Sequence, residues 1–123
     1  MKKITLVLLT AFALVSAPAM AADGDNKPVT LINAFVVPAG KEKEAVDFWQ
    51  NAADFMKLQP GYISTALHQA ILPDAKFHLI NVAKWESVEA YQNASKARRA
   101  QSGAKPPEGV VPYPSLYEVI IED

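Results

Sequence analysis

Two amides, an imidazole and an indole are the side chains in this sequence best suited to act on an organic ligand: Asn33, Asn81, His68 and Trp85. An amide donates and accepts hydrogen bonds, an indole offers one N–H and a π-surface, and an imidazole exchanges a proton near neutral pH. His68 is therefore the candidate base, with Asn33 and Trp85 as hydrogen-bonding partners. Other chemistries lack their residues. With no cysteine there is no thiolate metal site, thiol nucleophile or disulfide framework. No His/Asp/Glu cluster has metal-ligand spacing, and no Ser-His-Asp set or glycine-rich phosphate motif occurs. Neither a metal nor a cofactor is expected.

The elements that must position these residues follow from periodicity and breakers. Val29 to Val37 is rich in β-branched and apolar residues and reads as a strand, ended by Pro38-Ala39-Gly40. Lys41 to Leu58 has helical apolar spacing, with Glu42, Glu44 and Asp47 near its N-terminus and Gln59-Pro60-Gly61 after it. Tyr62 to Leu72 is a second strand, and the turn at Pro73-Asp74-Ala75 folds Phe77 to Trp85 back onto it. Ser87 is a plausible N-cap for a helix from Val88 to about Arg99. Ala100 to Pro114, with four prolines and two glycines, reads as a long loop containing Tyr113; Leu116 to Ile121 is a last strand. The order is βαββαβ, a ferredoxin-like α+β domain with a four-stranded antiparallel sheet.

Two helices cover one face of such a sheet, leaving the other free. Strand alternation separates Ile32, Ala34 and Val36 from Leu31, Asn33, Phe35 and Val37. The aliphatic sets, including Ile63, Thr65 and Leu67 and also Ile80 and Val82, are assigned to the helices. The free face is then expected to carry Leu31, Asn33, Phe35, His68, Phe77, Leu79, Asn81 and Trp85. Such a mixed apolar and amide face marks a partner or a ligand. A homodimer joining two sheets face to face is expected, with Phe35, Phe77, Leu79, Asn81 and Tyr113 as candidate substrate-binding residues. The assignment assumes no β-bulge, which would swap part of a strand.

The totals describe two unlike parts. The chain has 123 residues, 12 basic and 13 acidic, with net charge −1 and half its residues hydrophobic. Near-balanced charge argues against nucleic acid as a partner. Met1-Lys2-Lys3, the apolar run Ile4 to Val15 and the Ala19-Met20-Ala21 pattern read as a secretory signal, residues 1–21, cleaved after Ala21. The apolar run is too short for a stable membrane anchor. Cleavage leaves 102 residues with net charge −3 and a periplasmic location; 22–28 reads as a flexible leader and 29–123 as the domain.

Leu31-Ile32-Asn33 with Pro38-Ala39-Gly40-Lys41, then Gln59-Pro60-Gly61-Tyr62, Leu67-His68, Asn81-Val82-Ala83-Lys84-Trp85-Glu86-Ser87 and Leu116-Tyr117-Glu118-Val119 resemble the antibiotic biosynthesis monooxygenase family. The resemblance runs from about Val29 to Ile121. It implies a dimeric α/β-barrel of ferredoxin-like subunits. It also implies cofactor-independent oxidation of a phenolic or quinol-type aromatic by molecular oxygen, as a monooxygenase. In such a reaction the substrate supplies the electrons, and the protein must favour its deprotonated form with hydrogen bonds, a base and a dry cavity. A related branch degrades haem with an iron-ligating His in the second-helix region; this sequence has no His between Ser87 and Pro114.

Structural alternatives accompany each residue. Asn33 could bond strand-end backbone, Asn81 could be structural instead of orienting the substrate or His68, Trp85 could be core, and His68 could be structural or solvent-facing. His78 has the opposite parity to Asn81. Tyr62, Tyr91, Tyr113 and Tyr117 suit boundary packing as well as a phenolic ligand. Lys96-Ala97-Arg98-Arg99 complements a helix C-terminus and is read so in preference to an anion site. A non-catalytic ligand-binding dimer is the competing function.

Overall fold

A computed structural model describes residues 27–123. The signal-peptide and most of the leader assignments lie outside the described residues. The elements are β1 (Val29–Val36), α1 (Glu42–Met56), β2 (Tyr62–Gln69), β3 (Leu79–Trp85), α2 (Val88–Arg99) and β4 (Val111–Tyr117). One antiparallel sheet in the order β2-β3-β1-β4 carries both helices on one face, the ferredoxin-like arrangement expected.

Breakers set the boundaries. After β1 the chain turns through Gly40 at φ +88°, where Glu42 Oε1 accepts the Gly40 N–H at 3.0 Å. Past α1, Leu58 and Gln59 donate back to Phe55 and Met56, tightening the helix end before Gly61 at φ +91°. A Cβ on Gly61 would overlap that of Ala90, so glycine lets the α1–β2 turn approach α2. Ser87 is extended, and its Oγ accepts the Ala90 N–H at 3.0 Å as the N-cap of α2.

The helices supply small buried residues, Ala45, Ala53 and Ala94, while the sheet supplies the bulk: Leu31, Phe35, Leu79 and Trp85. This complementarity reverses the expected face assignment for β1 and β3. Leu31, Asn33 and Phe35, with Leu79, Asn81, Ala83 and Trp85, lie under the helices; Ile32, Ala34, Val36, Ile80 and Val82 line the other face, half-buried. Phenyl and indole rings remove more apolar area from water than branched aliphatics, so the aromatic set takes the covered side.

β2 also departs from simple alternation. A register shift between Tyr62 and Ser64 leaves Ile63 as an extra residue. Tyr62, opposite Trp85, and Thr65, opposite Ala83, therefore share the covered face despite their odd spacing. Beyond the bulge, Leu67 stands opposite Asn81, and His68 stands opposite Ile80 on the open face.

β4 begins inside the segment expected to be a loop, and residues 118–121 of the expected last strand fall outside it. Pro112 and Pro114 sit opposite Phe35 and Asn33. Two residues apart, they direct their missing N–H groups to one side, which on an edge strand faces away from the ladder. Among the described residues no helix is long and apolar enough to cross a membrane.

Candidate functional site

Between the covered face and the helices lies a cavity of about 310 Å³. Four of the expected site residues reach it: Asn33, Phe35, Asn81 and Trp85. Asn33 and Asn81 are direct neighbours in the β1–β3 register, so two amides project side by side into an otherwise apolar chamber. Asn81 is 7% exposed, and its Oδ1 accepts the Thr65 hydroxyl at 2.6 Å. That bond uses the acceptor and leaves the amide N–H2 as the group Asn81 can offer a ligand.

Trp85 is 1% exposed and clamped by two edge contacts, Tyr62 at 5.6 Å and Tyr91 at 5.7 Å between ring centroids. The bulge in β2 makes the first contact, and the capped start of α2 places Tyr91 for the second. The Trp85 Nε1–H nevertheless has no partner, and neither does buried Asn33 Oδ1. A buried polar atom without a partner costs about 1–3 kcal/mol. Both atoms belong to residues that line the cavity.

The remaining expected residues are elsewhere. His68 is exposed on the opposite face, its Nδ1 3.3 Å from the Ile80 carbonyl oxygen. The cross-strand register puts Leu67 on the cavity side in its place, so the expected imidazole base is not at the cavity. Tyr113 lies in β4 opposite Ala34, 56% exposed on the open face, rather than in a loop. Phe77 precedes β3 and meets Tyr113 edge-on at 6.0 Å. Leu79 is on the covered face but packs into the core with Phe35 and Ala45 instead of lining the chamber.

The other walls come from residues whose sequence pattern marks helix packing or a helix end. Phe48, Trp49, Ala52 and Met56 line the cavity along one stripe of α1, visible in the sequence as helical apolar spacing. Ser95, Arg98 and Arg99 of α2 and Pro106 of the following loop close one end. Arg99 donates to Ser95 Oγ at 2.9 Å, and the Arg98 fork donates to Gln101 Oε1 and the Gly103 carbonyl at 3.2 Å each.

Haem would need an axial ligand and room. The walls of this cavity include no histidine, and among the described residues no group of three or more His, Cys, Asp or Glu could hold a metal ion. At about 310 Å³ the chamber is at the lower end for small-ligand sites. These residues do not fit histidine-ligated haem.

The fold and site define a class: a ferredoxin-like α+β protein with an amide- and indole-lined cavity between sheet and helices. Residues 28–105 match the family model for antibiotic biosynthesis monooxygenase, and the chain belongs to that family. A candidate monooxygenase from Shewanella loihica PV-4 is 46% identical, covering 78% of this chain and 97% of that one, with a TM-score of 0.72. The haem-degrader MhuD of Mycobacterium tuberculosis is 26% identical over 77% of this chain and 98% of its own, at TM-score 0.60. SnoaB of Streptomyces nogalater, a cofactor-independent oxygenase, shares the fold at 24% identity and TM-score 0.60, covering 78% and 96%. No curated protein sequence matches the chain.

Proposed function

We propose that the cavity is the active site of a cofactor-independent monooxygenase acting on a small phenolic or quinol-type aromatic. The observation that carries this reading is the pair of unpartnered buried atoms, Trp85 Nε1 and Asn33 Oδ1, beside the Asn81 amide on one apolar wall. In the reaction a quinol and dioxygen give a hydroxyquinone and one water. The quinol supplies all four electrons, and one oxygen atom enters the product.

The chain's task is to make the bound aromatic electron-rich. The Trp85 N–H and the Asn81 amide donate to the substrate's oxyanion, and Asn33 Oδ1 accepts from a second hydroxyl. Donors fixed by packing need no reorganisation as charge develops, and an apolar chamber strengthens them. Trp49 and Phe48 of α1 flank the aromatic body. His68 has no part in this scheme; the substrate's proton leaves to water or to a second substrate oxygen.

Two further parts of the reading concern setting. The open face carries Ile32, Ala34, Val36, Ile80 and Val82, with Tyr113 and Tyr117 half exposed beside them. An apolar sheet face of that extent suits a second copy of the chain, giving a homodimer. Residues 1–21 serve as an export signal that delivers the domain to the periplasm.

The test is dioxygen uptake by purified protein with a panel of simple quinols. Uptake that depends on protein, survives metal chelation and falls with Asn33→Ala and Trp85→Phe supports the proposal. A panel without uptake, or uptake indifferent to both substitutions, removes it.

A further inference from the structure

The cavity has a charged end that the oxygenation chemistry does not use. Its lining residues include two guanidinium groups, Arg98 and Arg99, and no Asp, Glu, Lys or His. Neither arginine has a carboxylate partner: the ion pairs among the described residues join Lys41 with Glu44, Lys43 with Asp47, and Lys57 with Asp54. Helix-terminus electrostatics account for cations near the last turn of α2, where Lys96 and Arg99 are exposed and Arg98 is half-buried; of the three, Arg98 and Arg99 also line the chamber.

Arg98 is the more telling of the two. Its terminal nitrogens hold Gln101 and Gly103, while its Nε–H is buried with no partner. Arg99 spends one N–H on Ser95 Oγ and has the rest of its fork unassigned. Arg98, Arg99 and Ser95 thus line one small apolar chamber together, with the Arg98 Nε–H enclosed beside it. A guanidinium is cationic throughout the physiological range, and its N–H groups match a planar carboxylate. Beside the apolar walls, half-buried Arg98 attracts an anion more strongly than a guanidinium on an open surface, and solvent-exposed Arg99 adds a second, more screened charge.

We propose that the ligand of this cavity is an aromatic carrying a carboxylate, bound with that group against Arg98 and Arg99 and its ring toward Asn33, Asn81 and Trp85. This rests on reading the chamber as the substrate site and adds the substrate's charge. Arg98 also ties the carboxylate end to the loop it holds at Gln101 and Gly103, so an acid ligand braces that loop.

The experiment is a calorimetric titration of the whole purified protein, without dioxygen, with para-hydroxybenzoate and, separately, para-hydroxybenzamide, a near-isosteric pair of which only the first is an anion. A hydrogen bond to a charged group contributes about 1.5–3 kcal/mol, so the acid is expected to bind about tenfold or more tighter than the amide. In R98Q/R99Q that ratio is expected to fall toward one, chiefly through weaker binding of the acid. Should R98Q loosen the loop and weaken both probes, R99Q alone decides, since its one protein contact is exposed; it is expected to lower the ratio severalfold. Equal binding of the two probes, no binding of the acid, or a preference that survives R99Q and the double variant overturns the proposal. The outcome is separable from that of the oxygenase reading. Acid-selective binding without dioxygen uptake removes only the catalysis, and turnover of neutral quinols without acid preference removes only the anion site.

Discussion

Replacing Trp85 with Phe separates a binding role from a packing role. The indole is 1% exposed and held edge-on by Tyr62 and Tyr91, contacts that a phenyl ring largely retains. Losing the indole's extra area, on the order of 40 Å², costs about 1 kcal/mol at about 25 cal/mol per Å². Against this, Phe removes a buried N–H without a protein partner, a burden of about 1–3 kcal/mol. The two effects oppose each other, so the unliganded variant is expected within about 2 kcal/mol of the parent stability. The ligand loses its bond to the N–H, worth about 1.5–3 kcal/mol for a charged acceptor, or about 10- to 150-fold in affinity for the anionic form. If the bond tightens in the transition state, kcat falls by up to about 10²–10³. Urea denaturation and dioxygen uptake on the same preparation measure both sides. Several kcal/mol of lost stability with activity falling only in proportion to the unfolded fraction would refute the reasoning, as would unchanged turnover in a folded variant.

Four other outcomes follow from the same geometry. His68→Ala is expected to leave turnover per folded site unchanged, because the imidazole lies on the opposite face; a loss beyond tenfold in a properly assembled protein contradicts that placement. Ser87→Ala removes the α2 cap and is expected to lower stability by about 1 kcal/mol in denaturant melts. Val82→Glu puts a charge at the centre of the open apolar face and is expected to convert a dimer to monomer by light scattering. A wild-type monomer at micromolar concentration contradicts the dimer. For export, the mature protein recovered from periplasm is expected to begin at Ala22; an intact N-terminus on exported protein contradicts cleavage.

Element order was legible because Pro38, Gly40, Gly61 and the Ser87 cap punctuate the chain where periodicity changes. Asn33 with Phe35, and Asn81 with Trp85, were legible as same-face pairs, since alternation within a strand is fixed by the backbone. Alternation does not fix which face the helices take. Both faces are apolar here, and the small residues Ala45, Ala53 and Ala94 on the helices select the aromatic one. Nor does it fix registry between strands, which puts Leu67 rather than His68 beside Asn81. The bulge at Ile63 carries Tyr62 to the covered face through one unpaired residue with no distinctive side chain. Pro112 and Pro114 suggested a loop because proline opposes sheet pairing, yet an edge strand accommodates both. In sequence Arg98 is a helix-terminus cation; its other contacts depend on where residues 101–106 return beside the cavity, which local sequence does not reveal.

The central claim is that this cavity inserts oxygen into an aromatic without a cofactor. Its most direct measurement is turnover of a quinol by metal-stripped protein under heavy-isotope-labelled dioxygen, with mass spectrometry of product and water. The account predicts one labelled oxygen in the hydroxyquinone and one in water, lost together in Trp85→Phe. An unlabelled product, or labelled product formed equally by that folded variant, would contradict it.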